Sequence, residues 1–411
     1  MSLAARGPWF KLGLLGSLYF SQGLPYGFFT QALPVILREE GLSLGVIGMS
    51  SLLALPWAAK FLWAPFVDRS SLPGVGRRKS WIVPLQSLAA LFLATLAAYT
   101  WIRGELSISW LLVAVFGLNA LAATQDIATD GLAVEILRPG ERGWGNGLQV
   151  AGYRVGMIVG GGVLLILHPQ LGNAGIFAAM SLLLALATVP IARAKEPPRP
   201  VDEDLSTGPA PVHFLRRPGN GRILLLVVAY KFGESFAKSM LRPYLSDGGA
   251  SLSDIGWLLG TVGFVAGLAG AVVGGLAVNA VGRRRALLAF GTLQALSVAG
   301  YAWMATGVPT QTELYYFCGL EHFASGMATA VLFTCMMDWC APESAGTDYT
   351  VQASAVVIAT GLASALAGFS AERFGYAGHF ALGSALAVGA VVVVALVFPR
   401  GWAEGRGGEA G

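Results

Sequence analysis

Charge is what this chain lacks most. Lys, Arg, Asp and Glu make up 12% of its 411 residues, against about 25% in a soluble domain. In their place 55% of the residues are hydrophobic, and mean hydropathy is +0.63. A water-soluble fold is excluded, and an all-α integral membrane protein is expected. Thiol and imidazole groups are also few. Cys318, Cys335 and Cys340 show no C-x-x-C spacing and lie in or beside one apolar run with no clustered histidines, so neither a disulfide framework nor a metal site is indicated. No G-x-x-x-x-G-K-[ST] run is present, which removes ATP as an energy source within the chain and leaves no cofactor implied. No H-E-x-x-H or triad-like cluster is present either, and this argues against an enzyme such as a membrane-embedded acyltransferase.

Long apolar runs are what the chain has instead. Stretches of about 20 residues, enough to cross a bilayer as helix, fall at 11–37, 44–67, 80–101, 107–135, 144–167, 173–193, 223–245, 253–278, 286–306, 314–338, 348–371 and 377–398. The first exceeds a signal-peptide core and ends without a small-residue cleavage site, so it is expected to stay as a helix. Six runs lie on each side of residues 195–221, where Pro197, Pro198, Pro200, Pro209, Pro211 and Pro218 among charged residues read as an extended linker. Two six-helix bundles, 1–194 and 222–411, are expected. With the amino terminus in the cytoplasm, nineteen Lys and Arg residues fall in cytoplasmic segments and four, Arg38, Arg103, Arg242 and Arg373, on the other side. That bias places both termini and the linker in the cytoplasm. The net charge of +4 is thereby assigned to topology, and no nucleic-acid partner is expected.

The two halves repeat one another. Asp68-Arg69, followed after an insert by Gly76-Arg77-Arg78-Lys79, recurs as Asn279-Ala280-Val281-Gly282-Arg283-Arg284-Arg285. Tyr19 and Asp68 match Tyr230 and Asn279 at an offset of 211, while Glu135, Pro139, Gly143 and Gln149 match Asp338, Pro342, Gly346 and Gln352 at 203. Duplicated six-helix units are the arrangement expected of a carrier whose two bundles rock about a shared central site.

The two basic clusters resemble the conserved loop motif of the major facilitator superfamily, with an insert in the first copy and Asn279 in place of the acidic residue in the second. Within that superfamily, Lys60-Phe61-Leu62-Trp63-Ala64-Pro65-Phe66-Val67-Asp68-Arg69, Gln125-Asp126-Ile127-Ala128-Thr129-Asp130, Gly152-Tyr153-Arg154-Val155-Gly156-Met157 and Tyr230-Lys231-Phe232-Gly233-Glu234 are similar to the AmpG muropeptide permeases. Acetyl-CoA transporters and a bacterial group importing iron-loaded siderophores are related members. The form of Gly346-Thr347-Asp348-Tyr349-Thr350 and of residues 125–134 leans toward the siderophore group. Helix 5 carries Gly161 where drug/proton antiporters have proline, which argues against export. The resemblance implies a twelve-helix secondary transporter of the bacterial inner membrane, a monomer that imports a bulky polar solute with protons. Ferric siderophore is favoured over muropeptide on this reading, and a non-transporting sensor is the remaining alternative.

Asp68, Arg69, Arg77, Arg78, Glu135 and Arg142 gather at cytoplasmic helix ends and are expected either to latch that face by ion pairing or to serve only as topology signals. Asp126 and Asp130 share a helix face about 6 Å apart along the axis. Lys60 and Arg154 can supply their counter-charge, as a structural network or as a proton or anion site. Lys231, Glu234 and Lys238 share another face, and Glu321 with His322 adds a second carboxylate. Glu234 is the sharper candidate for carrying a proton, against internal pairing with Lys231 or Lys238. Adjacent in sequence, Glu321 and His322 are not expected to face one cavity together. Of the aromatics Tyr19, Tyr26, Trp57, Trp63, Tyr153 and Tyr230, the residues Tyr26, Tyr153 and Tyr230 are the candidates for stacking on a flat ligand. Gly23-Leu24-Pro25 is expected to interrupt helix 1, Pro56 to bend helix 2, and the glycines of helices 5 and 8 to form close helix contacts.

Overall fold

The computed structural model describes residues 6–39, 41, 50–72, 74–104, 107–196 and 214–398. The expected linker falls largely at 197–213 and, like residues 44–49 of the second apolar run, lies outside the described residues. Among the described residues there is no strand. Seven helices are long and apolar enough to cross a membrane, and the remaining expected runs hold helix broken by turns of other pitch.

The unbroken helices are bounded by ordinary signals. α4, defined below, ends at Gly104, whose positive φ of 86° lets its N–H reach the Thr100 carbonyl. Another helix opens at Ser107, whose hydroxyl accepts from the Trp110 N–H, and a third at Thr310 with Glu313 in a reciprocal capping box. In chain order, leaving aside the short helices Leu33–Glu39, Leu241–Asp247 and Leu252–Ile255, the helices are α1 (Pro8–Gly27), α2 (Leu55–Ala59), α3 (Ala64–Arg69), α4 (Lys79–Arg103), α5 (Ile108–Ile136), α6 (Arg142–Met157), α7 (Leu164–Arg193), α8 (Asn220–Ser239), α9 (Gly263–Val281), α10 (Arg283–Met304), α11 (Gln311–Asp338) and α12 (Ala345–Val397). Inside its most apolar window α11 is 78% buried and α4 only 33%. Hence α11 is an interior helix whose polar residues face protein, while α4 shows lipid a row that includes Leu88, Leu91, Trp101 and Ile102.

The irregular helices follow from proline and glycine. α1 runs straight through Gly23 and Pro25 and widens into a π-helical turn only at Phe28–Ala32 before resuming at Leu33–Glu39, so the expected interruption is displaced. Pro25 has no N–H to return and crowds the preceding turn, and the helix relaxes downstream of it. Gly23 is instead spent on packing, because a Cβ there would run into the Tyr153 carbonyl. The second apolar run is divided further, into 3₁₀ turns Ser50–Ala54 and Lys60–Leu62 alternating with α2 and α3, where Pro56 and Pro65 sit at first-turn positions. α7 and α12 each contain one break, at Gly172 (φ 62°) and Gly375 (φ 66°), backbone values that favour glycine. These two glycines stand 203 residues apart, so the sequence repeat extends to its hinges.

Glycine lets the helices touch backbone to backbone. A Cβ at Gly156 or Gly160 would meet the carbonyls of Phe20 and Leu24 in α1, and one at Gly270 would meet that of Phe323 in α11. Gly162, Gly256 and Gly260 face open space and make no such contact.

Contacts divide the chain into two compact units. Unit 1 comprises Met1–Glu141, Leu148–Pro211 and Cys340–Ser354, and unit 2 comprises Arg142–Gly147, Val212–Trp339 and Ala355–Gly411. The core of unit 1 gathers Phe28, Phe29, Leu93, Leu118, Phe177 and Met180. That of unit 2 gathers Leu241, Leu245, Val298, Tyr301, Met304 and Phe380.

Candidate functional site

Among the described residues four clusters of buried or half-buried charge stand out, two in each unit. In unit 1 the loop motif folds onto itself through Arg78, which is wholly buried. Its Nη1 pairs with Asp68 Oδ1, and its Nε and Nη2 donate to Glu135 Oε1 at 3.0 and 2.6 Å. Arg77 Nη2 donates to the same Glu135 oxygen. The other oxygen of Asp68 accepts the Thr347 N–H at 2.6 Å and the Thr347 hydroxyl. Gly346 allows this approach, since a Cβ there would meet Asp68 Oδ1 and Arg78 Nη1. Burial works to lower the Arg78 pKa, but the Asp68 and Glu135 carboxylates outweigh it and hold the guanidinium above its ordinary value. Behind the motif Glu196 caps α4, accepting the N–H groups of Arg78 and Lys79 at 2.7 Å each. Burial pushes the Glu196 carboxyl above its ordinary value against the pull of those two donors.

Unit 2 holds the repeat of this device. Arg283 joins Asn279 Oδ1 (3.1 Å) to Asp338 Oδ2 (2.8 Å), as Arg78 joins Asp68 to Glu135. Arg142 donates to Asp338 Oδ1 at 2.7 Å. Sequence placed Arg142 with Glu135, and the structure places it with Asp338 instead. The reason is packing: Gly143 and Gly147 lie against the Gly275 and Ala271 backbone, which seats the first turn of α6 in unit 2. Arg69 stays at the end of α3, half-buried.

The second cluster of unit 1 is built on the 3₁₀ turn that carries Lys60. Its Nζ pairs with Asp126 and lies 4.0 Å from Asp130 Oδ2, all three side chains being buried. Tyr19 OH donates to Asp130 Oδ1 at 3.0 Å. The expected counter-charge is therefore Lys60, while Arg154 stands half-buried on α6. Sequence gave Tyr19 no such role; its only sign was the repeat match to Tyr230. Tyr26, Trp57 and Tyr153 pack beside this cluster, with ring centroids 5.7 Å (Tyr26–Trp57) and 5.6 Å (Tyr26–Tyr153) apart.

In unit 2, Glu234 has both oxygens engaged, one by Lys231 Nζ at 2.6 Å and the other by the Ser325 hydroxyl. Lys231 also donates to Thr329 Oγ1 at 3.1 Å. Glu321 is different. Its Oε2 lies 3.6 Å from Lys238 Nζ, 3.1 Å from His322 Nδ1 and 3.4 Å from Tyr301 OH, whereas its Oε1 is buried with no hydrogen-bond partner among the described residues. The His322 imidazole turns back toward the Cys318 carbonyl at 2.8 Å, which brings Nδ1 alongside the Glu321 carboxylate. Tyr230 is buried and gives its hydroxyl to the Leu287 carbonyl at 3.0 Å, so its ring and hydroxyl serve the α8 and α10 contact.

Thr347, Ser325 and Glu196 complete these clusters without having been singled out. Thr347 follows Gly346, the repeat partner of Gly143, and that match was the available signal. Glu196 had none beyond a lone carboxylate at a helix exit.

Comparison with known proteins agrees with this architecture. The acetyl-coenzyme A transporter 1 family matches residues 11–171, and the Major Facilitator Superfamily matches residues 223–407. The chain is similar to the anhydromuropeptide permease of Escherichia coli K12, 31% identical over 393 residues that cover 93% of this chain and 79% of that protein. It is also similar to putative transporter AmpG 4 of Rickettsia conorii, 26% identical over 399 residues, covering 94% and 95%. Among solved structures, the human organic anion transporter MFSD10 superposes with a TM-score of 0.76 at 14% identity over 95% of this chain and 100% of that one. FucP in its outward conformation gives 0.72 at 15% identity over 96% and 100%. Repeated loop motif, broken helices, buried charge and a relationship running through nearly the whole sequence converge on one assignment: the chain belongs to the major facilitator superfamily of membrane transporters, in its AmpG-like group.

Proposed function

We propose that this transporter is a proton-coupled importer of a muropeptide-class solute, a sugar joined to a short peptide, across the bacterial inner membrane with both termini in the cytoplasm. The observation that carries this reading is the 31% identity over 393 residues with a protein named for anhydromuropeptide transport. The runs that leaned toward siderophores do not bear on the ligand. Thr347 is engaged with Asp68, and Asp126 and Asp130 with Lys60 and Tyr19, so the form of both runs is set by pairing within the protein. A ferric siderophore is accordingly the second reading.

For coupling, the local geometry favours Glu321 over Glu234. Glu234 is clamped by Lys231 and Ser325, a lysine side chain only 11% exposed and a buried hydroxyl. Glu321 keeps one oxygen unmatched, and its ammonium partner Lys238 is 33% exposed. When Lys238 swings to water, the buried carboxylate loses its compensation and takes a proton, because an unpaired charge at membrane depth costs several kcal/mol. Asp68, Arg77, Arg78 and Glu135 are the latch that must break and re-form in each cycle. Counterflow in proteoliposomes tests substrate class: labelled anhydromuropeptide should exchange against the unlabelled compound. Exchange of a ferric siderophore without exchange of the muropeptide overturns this reading in favour of the second.

A further inference from the structure

The aromatic residues of unit 1 form a continuous wall. Tyr26 contacts both Trp57 and Tyr153. Trp57 is pinned by its indole N–H donating to Asn119 Oδ1 at 2.9 Å and packs on Ala122 and Ala123. The partners across the seam are fixed by backbone contact, since Gly23 abuts the Tyr153 carbonyl and Gly156 that of Phe20. Tyr26 and Tyr153 are therefore held side by side by their helices, independently of any ligand.

Their hydroxyls are the unusual feature. Tyr19, Tyr230 and Tyr301 each spend theirs on Asp130, Leu287 and Glu321. Tyr26 and Tyr153 are half-buried, and neither hydroxyl has a hydrogen-bond partner among the described residues. The Lys60 ammonium lies 5.8 Å from the Trp57 ring centroid and is already paired with Asp126. The wall thus offers the two half-buried tyrosine rings and their free hydroxyls, backed by buried Trp57. Such a surface suits a pyranose, whose axial C–H face packs on rings and whose hydroxyl and acetamido groups exchange hydrogen bonds.

We infer that Tyr26, Trp57 and Tyr153 are the saccharide subsite of this transporter, taking one N-acetylhexosamine ring against the aromatic wall with the Tyr26 and Tyr153 hydroxyls bonded to its substituents. The inference rests on the muropeptide reading and assigns the sugar end of that substrate to unit 1.

Calorimetric titration of the purified full-length protein with N,N'-diacetylchitobiose tests it. Saturable binding is expected, weakened about fivefold by Tyr26→Phe and by Tyr153→Phe, the loss of one neutral hydrogen bond each. Tyr316→Phe, at an exposed ring, should change nothing. The phenylalanine variants keep the ring and its packing, so their loss is not one of fold. Absence of chitobiose binding, or binding indifferent to both substitutions, overturns the subsite. Muropeptide uptake by the same preparation reads the parent proposal separately: uptake without chitobiose binding removes the subsite alone, and chitobiose binding without uptake removes muropeptide transport while leaving a sugar site.

Discussion

Arg78→Gln removes a guanidinium that serves both Asp68 and Glu135. The Arg78 side chain is 0% exposed and that of Asp68 3%, so the substitution strands a carboxylate rather than releasing it to water. Removing one partner of a buried ion pair costs about 3–5 kcal/mol. Asp68 retains two donors from Thr347, and Glu135, 24% exposed, retains Arg77. These survivors place the loss near the lower end, about 3 kcal/mol. Arg77→Gln takes away one of several donors from a half-exposed partner and should cost about 0.5–1 kcal/mol. Asp68→Asn combined with Arg78→Gln leaves no stranded charge at that contact, so the pair should be less damaging than the sum of the singles by about 2 kcal/mol. Unfolding of the purified protein by SDS in mixed micelles, followed by tryptophan fluorescence, measures all four. Singles that add within about 0.5 kcal/mol, or an Arg77→Gln as costly as Arg78→Gln, would refute the assignment of Arg78 as the hub.

Glu321→Gln should abolish uphill uptake while leaving counterflow intact, and Glu234→Gln should reduce both; a variant of Glu321 that still accumulates solute against a gradient removes it from coupling. Gly270→Val drives a side chain into the Phe323 backbone and should lower stability by about 1–3 kcal/mol, whereas Gly260→Val, facing open space, should fall within about 0.5 kcal/mol of the parent, both read as midpoints of SDS unfolding. Glu141 supplies a pH dependence. Partial burial pushes its carboxyl up, but Lys11 Nζ at 2.8 Å and the Arg138 N–H outweigh it, so the group sits below its ordinary value. A depressed carboxylate stabilises above its unfolded-state pKa, about 4.3, and that contribution fades as pH falls through the lower folded value. The gap in thermal stability between the parent protein and Glu141→Gln should therefore be full near pH 6 and close toward pH 3; a gap that widens on acidification contradicts the pairing.

The parts of the fold that depend on single residues were legible in the sequence. α4, α5, α10 and α11 follow their apolar runs because burial in lipid or protein is decided largely by side-chain hydropathy. The repeat was legible too: Glu135 and Asp338 match at an offset of 203, and each accepts from a guanidinium of its own loop motif. Partners contributed by distant backbone were not legible: Thr347 reaches Asp68 through its N–H as well as its hydroxyl, and a backbone donor carries no sequence label. Pitch was misread for a related reason. Pro25 marked a break in α1, but the helix continues through it and widens only at Phe28–Ala32. Arg142 went to Asp338 because glycines at 143 and 147 seat its helix turn against Gly275 and Ala271, a steric fact invisible to charge pattern.

The central claim is that this transporter moves a muropeptide-class solute by cycling a proton through buried carboxylates. Uptake of labelled anhydromuropeptide into ATP-free proteoliposomes, with an imposed pH gradient directed along the path of import, measures it most directly. The account predicts accumulation above the external concentration that collapses when a protonophore is added. Mere equilibration, unaffected by the gradient or the protonophore, would contradict it.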